Sequence, residues 1–139
     1  MSDWKSVLKA DPINWLLEKD NPSVRYFTLS QILDEHNNSS ELQEAKKEIM
    51  TAGVVPKILA KQHNGGYWEA PEAFYTAKYR GTVWQLIILA ELAADGSDER
   101  VKKACEFILE TSQEHKSGGF SAWLSVKVGG GRYSGVLPC

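Results

Sequence analysis

Gln62-His63-Asn64-Gly65-Gly66-Tyr67-Trp68 closes one apolar stretch of the chain, and Gln113-Glu114-His115-Lys116-Ser117-Gly118-Gly119-Phe120 closes another. Both run from glutamine through a polar turn to paired glycines and then to aromatic residues. The two glutamines stand 51 positions apart, a spacing of the kind that helical-pair repeats show. The stretches before them agree as well, with Ile58-Leu59 ahead of the first turn and Ile108-Leu109 ahead of the second. These residue types suit one task. A glutamine at a helix C-terminus can reach orphan carbonyls or the backbone of the next turn. Glycine lets the chain reverse through conformations closed to other residues. The aromatic ring then folds back over the turn and buries a large area. Such a turn fixes how one helical hairpin stacks on its neighbour, and in repeat proteins that stacking supplies most of the stability. The pair of turns therefore predicts an all-α fold of helical hairpins.

Outward from these turns, the start signals predict six helices. Asp11-Pro12 and Asn21-Pro22 each place a capping residue before a proline suited to the first helical position. The first opens a short helix through Trp15, Leu16 and Leu17. The second opens a longer one, with Tyr26, Leu29 and Leu33 on a single stripe. Ser40-x-x-Gln43 reads as a capping box for a third helix. It runs to about Thr51, with Gly53 past its end. A fourth helix spans Val54 to about Gln62, with Pro56 in its first turn. A fifth starts at Gly81 or Thr82, and its Val83, Trp84, Leu86, Ile87, Leu89, Ala90 and Leu92 predict burial on more than one side. Ser97 or Asp98 caps a sixth, whose Val101, Ala104, Cys105, Ile108 and Leu109 share one core-facing stripe. After Gly118-Gly119 the helical period is lost.

Bulk properties narrow the function classes. The 139 residues fit one domain, with N-terminal helices over 1–53 and two repeats over 54–139. Apolar residues at 42% and charged residues at 24% match an ordinary globular chain, which argues against disorder. A net charge of −2 argues against nucleic acid as a partner. No stretch approaches the ~18 apolar residues of a membrane span, and Met1-Ser2-Asp3-Trp4-Lys5 lacks the layout of a signal peptide. Cys105 and Cys139 match neither a zinc pattern nor a redox pair. A cytoplasmic protein with reduced thiols is the expectation. The apolar end, Gly135-Val136-Leu137-Pro138-Cys139, is unusual for a terminus. It predicts either an N-terminal piece of a longer chain or a tail docked on the domain.

Gln62-x-x-x-Gly66-x-Trp68 resembles the repeat signature of the squalene/hopene cyclases, and Gln113…Gly119-Phe120 resembles a degenerate copy with longer spacing. Arg80-Gly81-Thr82-Val83-Trp84 resembles an inner-helix start in the wider group of prenyltransferases and cyclases. The segment from Trp15 to Tyr26 resembles the N-terminus of uncharacterised bacterial and archaeal members. The resemblance covers roughly 54–139 and implies part of an α/α-toroid with two toroid-type repeats. It further implies an apolar or isoprenoid small molecule as ligand. Six helices fall short of a closed ring, so the resemblance also implies truncation or completion by other copies in a homo-oligomer.

The family's chemistry is not legible in the residues. The cyclases' Asp-rich acid has its nearest counterpart in Asp95-Gly96-Ser97-Asp98, where N-capping is the simpler account. Cys105, on an apolar stripe, is expected to be a buried structural thiol, as such cysteines commonly are. His63 and His115 read as turn residues near helix C-termini, where positive charge is favourable. Gly129-Gly130-Gly131-Arg132-Tyr133-Ser134-Gly135 lacks the ending and the preceding strand of a phosphate loop. Arg132 and Tyr133 remain candidates for touching a ligand from a rim loop. No metal site and no cofactor is expected.

The candidate ligand site is Trp68-Glu69-Ala70-Pro71-Glu72-Ala73-Phe74-Tyr75-x-x-Lys78-Tyr79-Arg80, with Trp84. Within it, Trp68, Tyr75 and Trp84 offer an aromatic wall that can stabilise a cation or stack on a sugar ring, beside Glu69, Glu72 and Arg80. Three functions stay open. One is a cyclase- or prenyltransferase-like toroid protein. Another is a non-catalytic helical-repeat module that binds a protein or a small ligand. The third, suggested by the aromatics with Glu69 and Glu72, is a carbohydrate-active α/α-barrel.

Overall fold

A computed structural model describes residues 4–35, 38–113 and 118–122. Among them the chain is helical, with one isolated antiparallel bridge between Gln113 and Phe120 and no strand. The all-α expectation holds. No helix among the described residues is long and apolar enough to cross a membrane. The chain divides into two compact units, Met1–Pro56 and Lys57–Cys139.

In the first unit, α1 (Ile13–Leu16) is a single turn. Its N-cap position falls to Pro12, one residue later than expected, and Asp11 Oδ1 accepts from Ile13 N at 3.0 Å just ahead of the helix. Pro22 opens α2 (Pro22–Phe27), where its missing N–H removes one orphan donor. The expected long α-helix then changes pitch, and Thr28–Ile32 forms a wide π turn. Two observations account for it. The buried Thr28 hydroxyl donates to Val24 O at 2.8 Å, a back-bond that bends helices. Leu33 N then donates five residues back, to Thr28 O, at 2.9 Å. The predicted stripe survives the change. Leu29 is buried with Leu42 and Ala45 of α3 (Ser40–Glu48), and Tyr26, Leu33 and Leu17 pack against them.

The capping box expected at Ser40 is not formed. The N-cap position falls to Ser39, whose side chain makes no capping bond. α3 ends earlier than expected, at Glu48 instead of near Thr51, so Gly53 does not terminate it; Gly53 still takes φ +75°, which L side chains rarely adopt. A side chain there would also meet Pro22 Cδ at 2.9 Å. Arg25 is buried against α3. Its Nη2 donates to Glu41 Oε1 at 3.0 Å and its Nη1 to Glu48 Oε2 at 3.1 Å, with Glu44 Oε2 at 3.9 Å. These glutamates recur at the three- and four-residue steps that place side chains on one helix face.

In the second unit, α5 (Thr82–Glu91) and α6 (Glu99–Ser112) form a hairpin. α4 (Val55–Leu59) is shorter than expected and leads into the first glycine turn. Asp95 Oδ1 accepts from both the amide and the hydroxyl of Ser97, closing the turn between α5 and α6. Asp98 caps α6 by accepting from Arg100 N at 2.9 Å. The Arg100 guanidinium, hydrogen-bonded to Asp98, holds that carboxyl below the ordinary value of 3.8.

Two burial expectations fail here. α5 is not enclosed on several sides, since Ile87 is 48% exposed and only Thr82 and Leu89 are fully buried along it. On α6 the core stripe is rotated. It runs through Val101, Ala104 and Ser112, while Leu109 is exposed. Cys105 is an exposed free thiol rather than a buried one. The cause is the turn that packs on α6. Tyr67 places its ring 5.3 Å from that of Phe107, so the covered face is centred on Ala104 and Phe107, away from Cys105 and Leu109.

Candidate functional site

The first glycine turn is built from main-chain bonds. Gly66 N donates to His63 O at 2.9 Å and His63 N to Tyr67 O at 2.8 Å. Gly66 has φ +85°, and a Cβ there would stand 2.5 Å from Lys103 O on α6. Only glycine satisfies both the dihedral and the approach. Trp68 follows at 4% exposure. Its indole Nε1 donates to Ile58 O at 2.8 Å, and its amide donates to the buried Thr82 Oγ1 at 3.1 Å. Gln62 Nε2 donates to Arg100 O at 2.8 Å. The signature residues Gln62, Gly66 and Trp68 thus tie α4 to both α5 and α6.

The second turn is built differently. Gln113 and Phe120 pair directly as an antiparallel bridge, and Ser121 N donates to Ser112 O at 2.9 Å. Gln113 Nε2 lies 3.5 Å from Gly118 O, within its own turn. The longer spacer changes where the turn closes. In the first copy the closing pair begins one residue after the glutamine, at His63. In the second it begins at the glutamine itself, so Gln113 is held inside the turn.

Beyond Trp68 the chain makes two short 3-10 turns, Pro71–Ala73 and Lys78–Arg80. They carry Tyr75 and Tyr79 to one side of Trp84, in the first turn of α5. The Tyr75 and Trp84 ring centres are 5.8 Å apart, and those of Tyr79 and Trp84 5.6 Å. Trp84 Nε1 donates to Tyr75 O at 2.9 Å, which fixes the indole. Gln85 Nε2 donates to Tyr79 O and holds the other end. The outcome is a shelf of three rings whose outermost member, Tyr79, is 71% exposed. Beside it Arg80 Nε stands 3.8 Å from Glu69 Oε1, both side chains being substantially exposed. Surface screening makes such a pair weak, so either partner is free to exchange it for another polar group.

The predicted site residues therefore separate. Tyr75, Trp84, Arg80 and Glu69 sit in one neighbourhood. Trp68 has its ring inside the core, so it serves the turn and offers no face to a ligand. Glu72 is exposed in the first 3-10 turn, and no bond joins it to the shelf. Arg132 and Tyr133, with His115 and Cys139, lie outside the described residues. Tyr79, within the predicted stretch, gives the shelf its exposed ring. Two residues were not singled out from the sequence as part of the site: Gln85 clamps the shelf, and Thr82 receives the Trp68 amide. A polar residue at a helix start gave no signal for Thr82, because capping would explain it equally well.

No group of three or more His, Cys, Asp or Glu among the described residues is placed to hold a metal ion. Asp95 and Asp98, nearest in sequence to an acid motif, are engaged in the turn and the cap of α6. Set against models of known protein families, curated proteins and solved structures, the chain matches none of them.

Proposed function

We propose that the chain is a helical-repeat binding module of the cyclase and prenyltransferase type, part of an α/α-toroid, whose Tyr75–Trp84–Tyr79 shelf takes an apolar chain of isoprenoid kind. The observation that carries this is the exposed Tyr79 ring, packed on an indole fixed by the Tyr75 carbonyl. Aromatic surface held in position before a ligand arrives loses little freedom on binding. Arg80 and Glu69 form a polar rim to that surface. The Gln62, Gly66 and Trp68 bonds support the repeat resemblance, because each signature residue has a stacking task. Binding is favoured over catalysis because Asp95 and Asp98 already serve the helix turn. In this reading, further helices that complete a ring come from outside the six found among the described residues, for instance from other copies.

Titration calorimetry with farnesol tests the reading, with a soluble oligosaccharide in parallel. Saturable farnesol binding is expected, weakened about tenfold by Tyr79→Ala, equivalent to ~1.4 kcal/mol. Absence of saturable binding, or equal affinity in Tyr79→Ala, overturns it. Saturation by the oligosaccharide alone transfers the shelf to a carbohydrate ligand. Light scattering decides whether copies assemble.

A further inference from the structure

The first glycine turn holds a reactive pair that the binding reading does not use. Asn64 and Gly65 are the two central residues of the turn closed by Gly66 N and His63 O. Both are exposed. The closing bond uses neither the Gly65 nitrogen nor the Asn64 amide, and among the described residues neither group has a hydrogen-bond partner. We infer that Asn64 is a site of spontaneous deamidation through attack by the Gly65 main-chain nitrogen.

The reaction needs no other reagent than water. The Gly65 nitrogen loses its proton to solvent base and bonds to Asn64 Cγ. The bond from Cγ to the side-chain nitrogen breaks, and ammonia leaves with that nitrogen. The five-membered imide that results then adds water across one of its carbonyls. Opening gives aspartate, or isoaspartate in which the main chain runs through the former side chain.

Two features make the site intrinsic to the turn. A side chain at position 65 would strike the Tyr67 ring at 2.5 Å. That ring is itself held between His63, stacked at 4.9 Å, and Phe107 at 5.3 Å. Glycine is therefore required after Asn64, and glycine leaves the attacking nitrogen unshielded. The chain's Asp-Gly pair, which could form the same imide with loss of water, is protected. At Asp95-Gly96 the carboxylate oxygen Oδ1 is occupied by the Ser97 amide at 2.8 Å and hydroxyl at 2.7 Å. Isoaspartate at 64 adds a backbone methylene between His63 and Gly65. That displaces the His63–Tyr67 closure and, through it, the seat of Trp68.

The full chain is incubated at mildly alkaline pH, folded and in denaturing urea, and digested for peptide mass analysis at intervals. Isoaspartate is scored by enzymatic methylation. In the folded chain, conversion at Asn64 is expected to be at least about tenfold faster than at the exposed Asn14, the ratio given by a barrier lower by ~1.4 kcal/mol. The Asp95 peptide stays unchanged. Asn64→Ser abolishes the signal while preserving the thermal midpoint, and the purified isoaspartate form unfolds at a lower temperature. Conversion at Asn64 no faster than at Asn14, or conversion in urea but not in the folded chain, overturns the inference.

Discussion

Gln62 Nε2 donates to the Arg100 carbonyl at 2.8 Å, across 38 residues of sequence, whereas Gln113 Nε2 reaches only Gly118 O, five residues on, at 3.5 Å. The same residue type at the corresponding place in the two glycine turns thus does different work. One glutamine joins a turn to the next helix, and the other stays within its turn. Gln62→Ala is expected to lower the unfolding free energy by about 1 kcal/mol, the usual net value of such a bond. Gln113→Ala should lower it by much less. Urea unfolding of the two variants checks this, and equal losses would contradict the asymmetry.

Trp68 combines burial with two hydrogen bonds. Trp68→Ala should remove about 3–5 kcal/mol, the range for emptying an aromatic core site. Trp68→Phe keeps most of the packing and removes only the indole donor to Ile58 O, which still accepts from Lys61 N at 3.1 Å. About 1 kcal/mol is expected for that change, the usual net value of one such bond. Chemical denaturation measures both, and a phenylalanine variant as stable as the parent would show that the indole bond is dispensable.

Gly66 and Gly96 separate two roles of glycine. At Gly66, φ is +85° and Lys103 O stands 2.5 Å from where a Cβ would go. Gly66→Ala should therefore cost more than the ~1–2 kcal/mol of the left-handed conformation alone. Nothing lies within 4 Å of a Cβ at Gly96, and its φ carries no such penalty. Gly96→Ala should be neutral or stabilising by up to about 1 kcal/mol, through the less mobile unfolded chain. Thermal unfolding of the pair distinguishes them.

Asp98 supplies a pH dependence whose sign follows from its lowered carboxyl value. Its contribution is fully present above the unfolded value and is lost as pH falls through the lower folded one. At neutral pH, Asp98→Ala should cost about 1 kcal/mol as a lost helix cap. The gap between parent and variant should close as pH drops below 3.8. Unfolding measured across acid pH gives the result, and a gap that persists in strong acid would assign the effect to something other than the charge.

Much of the helical framework was legible because its signals are local. Pro22 at a helix start and Asp98 as a cap each act within a few residues of their own position. The first turn was legible too, since Gln62, Gly66 and Trp68 are specific about glycine and aromatic chemistry. What escaped depends on partners distant in sequence. Cys105 fits the apolar period of α6 yet is exposed, because Tyr67 packs at Phe107 and rotates the covered face. The π turn at Thr28–Ile32 arises where a buried threonine bonds Val24 O, and threonine alone does not announce it. The shelf was half legible. Its aromatic content was visible, but exposure assigned the outer position to Tyr79 and took Trp68 into the core.

Arg25 bears on how this chain can drift in sequence. Its two terminal nitrogens reach Glu41 and Glu48, which sit seven positions apart on α3. That is about 10.5 Å along a helix axis. A planar fork can bridge such a span, while the single ammonium of lysine cannot. Arginine and lysine are therefore not synonyms at this position, and the fork works as a gauge of helical pitch. An insertion between Glu41 and Glu48 would turn one carboxylate off the face and leave a buried cation half matched.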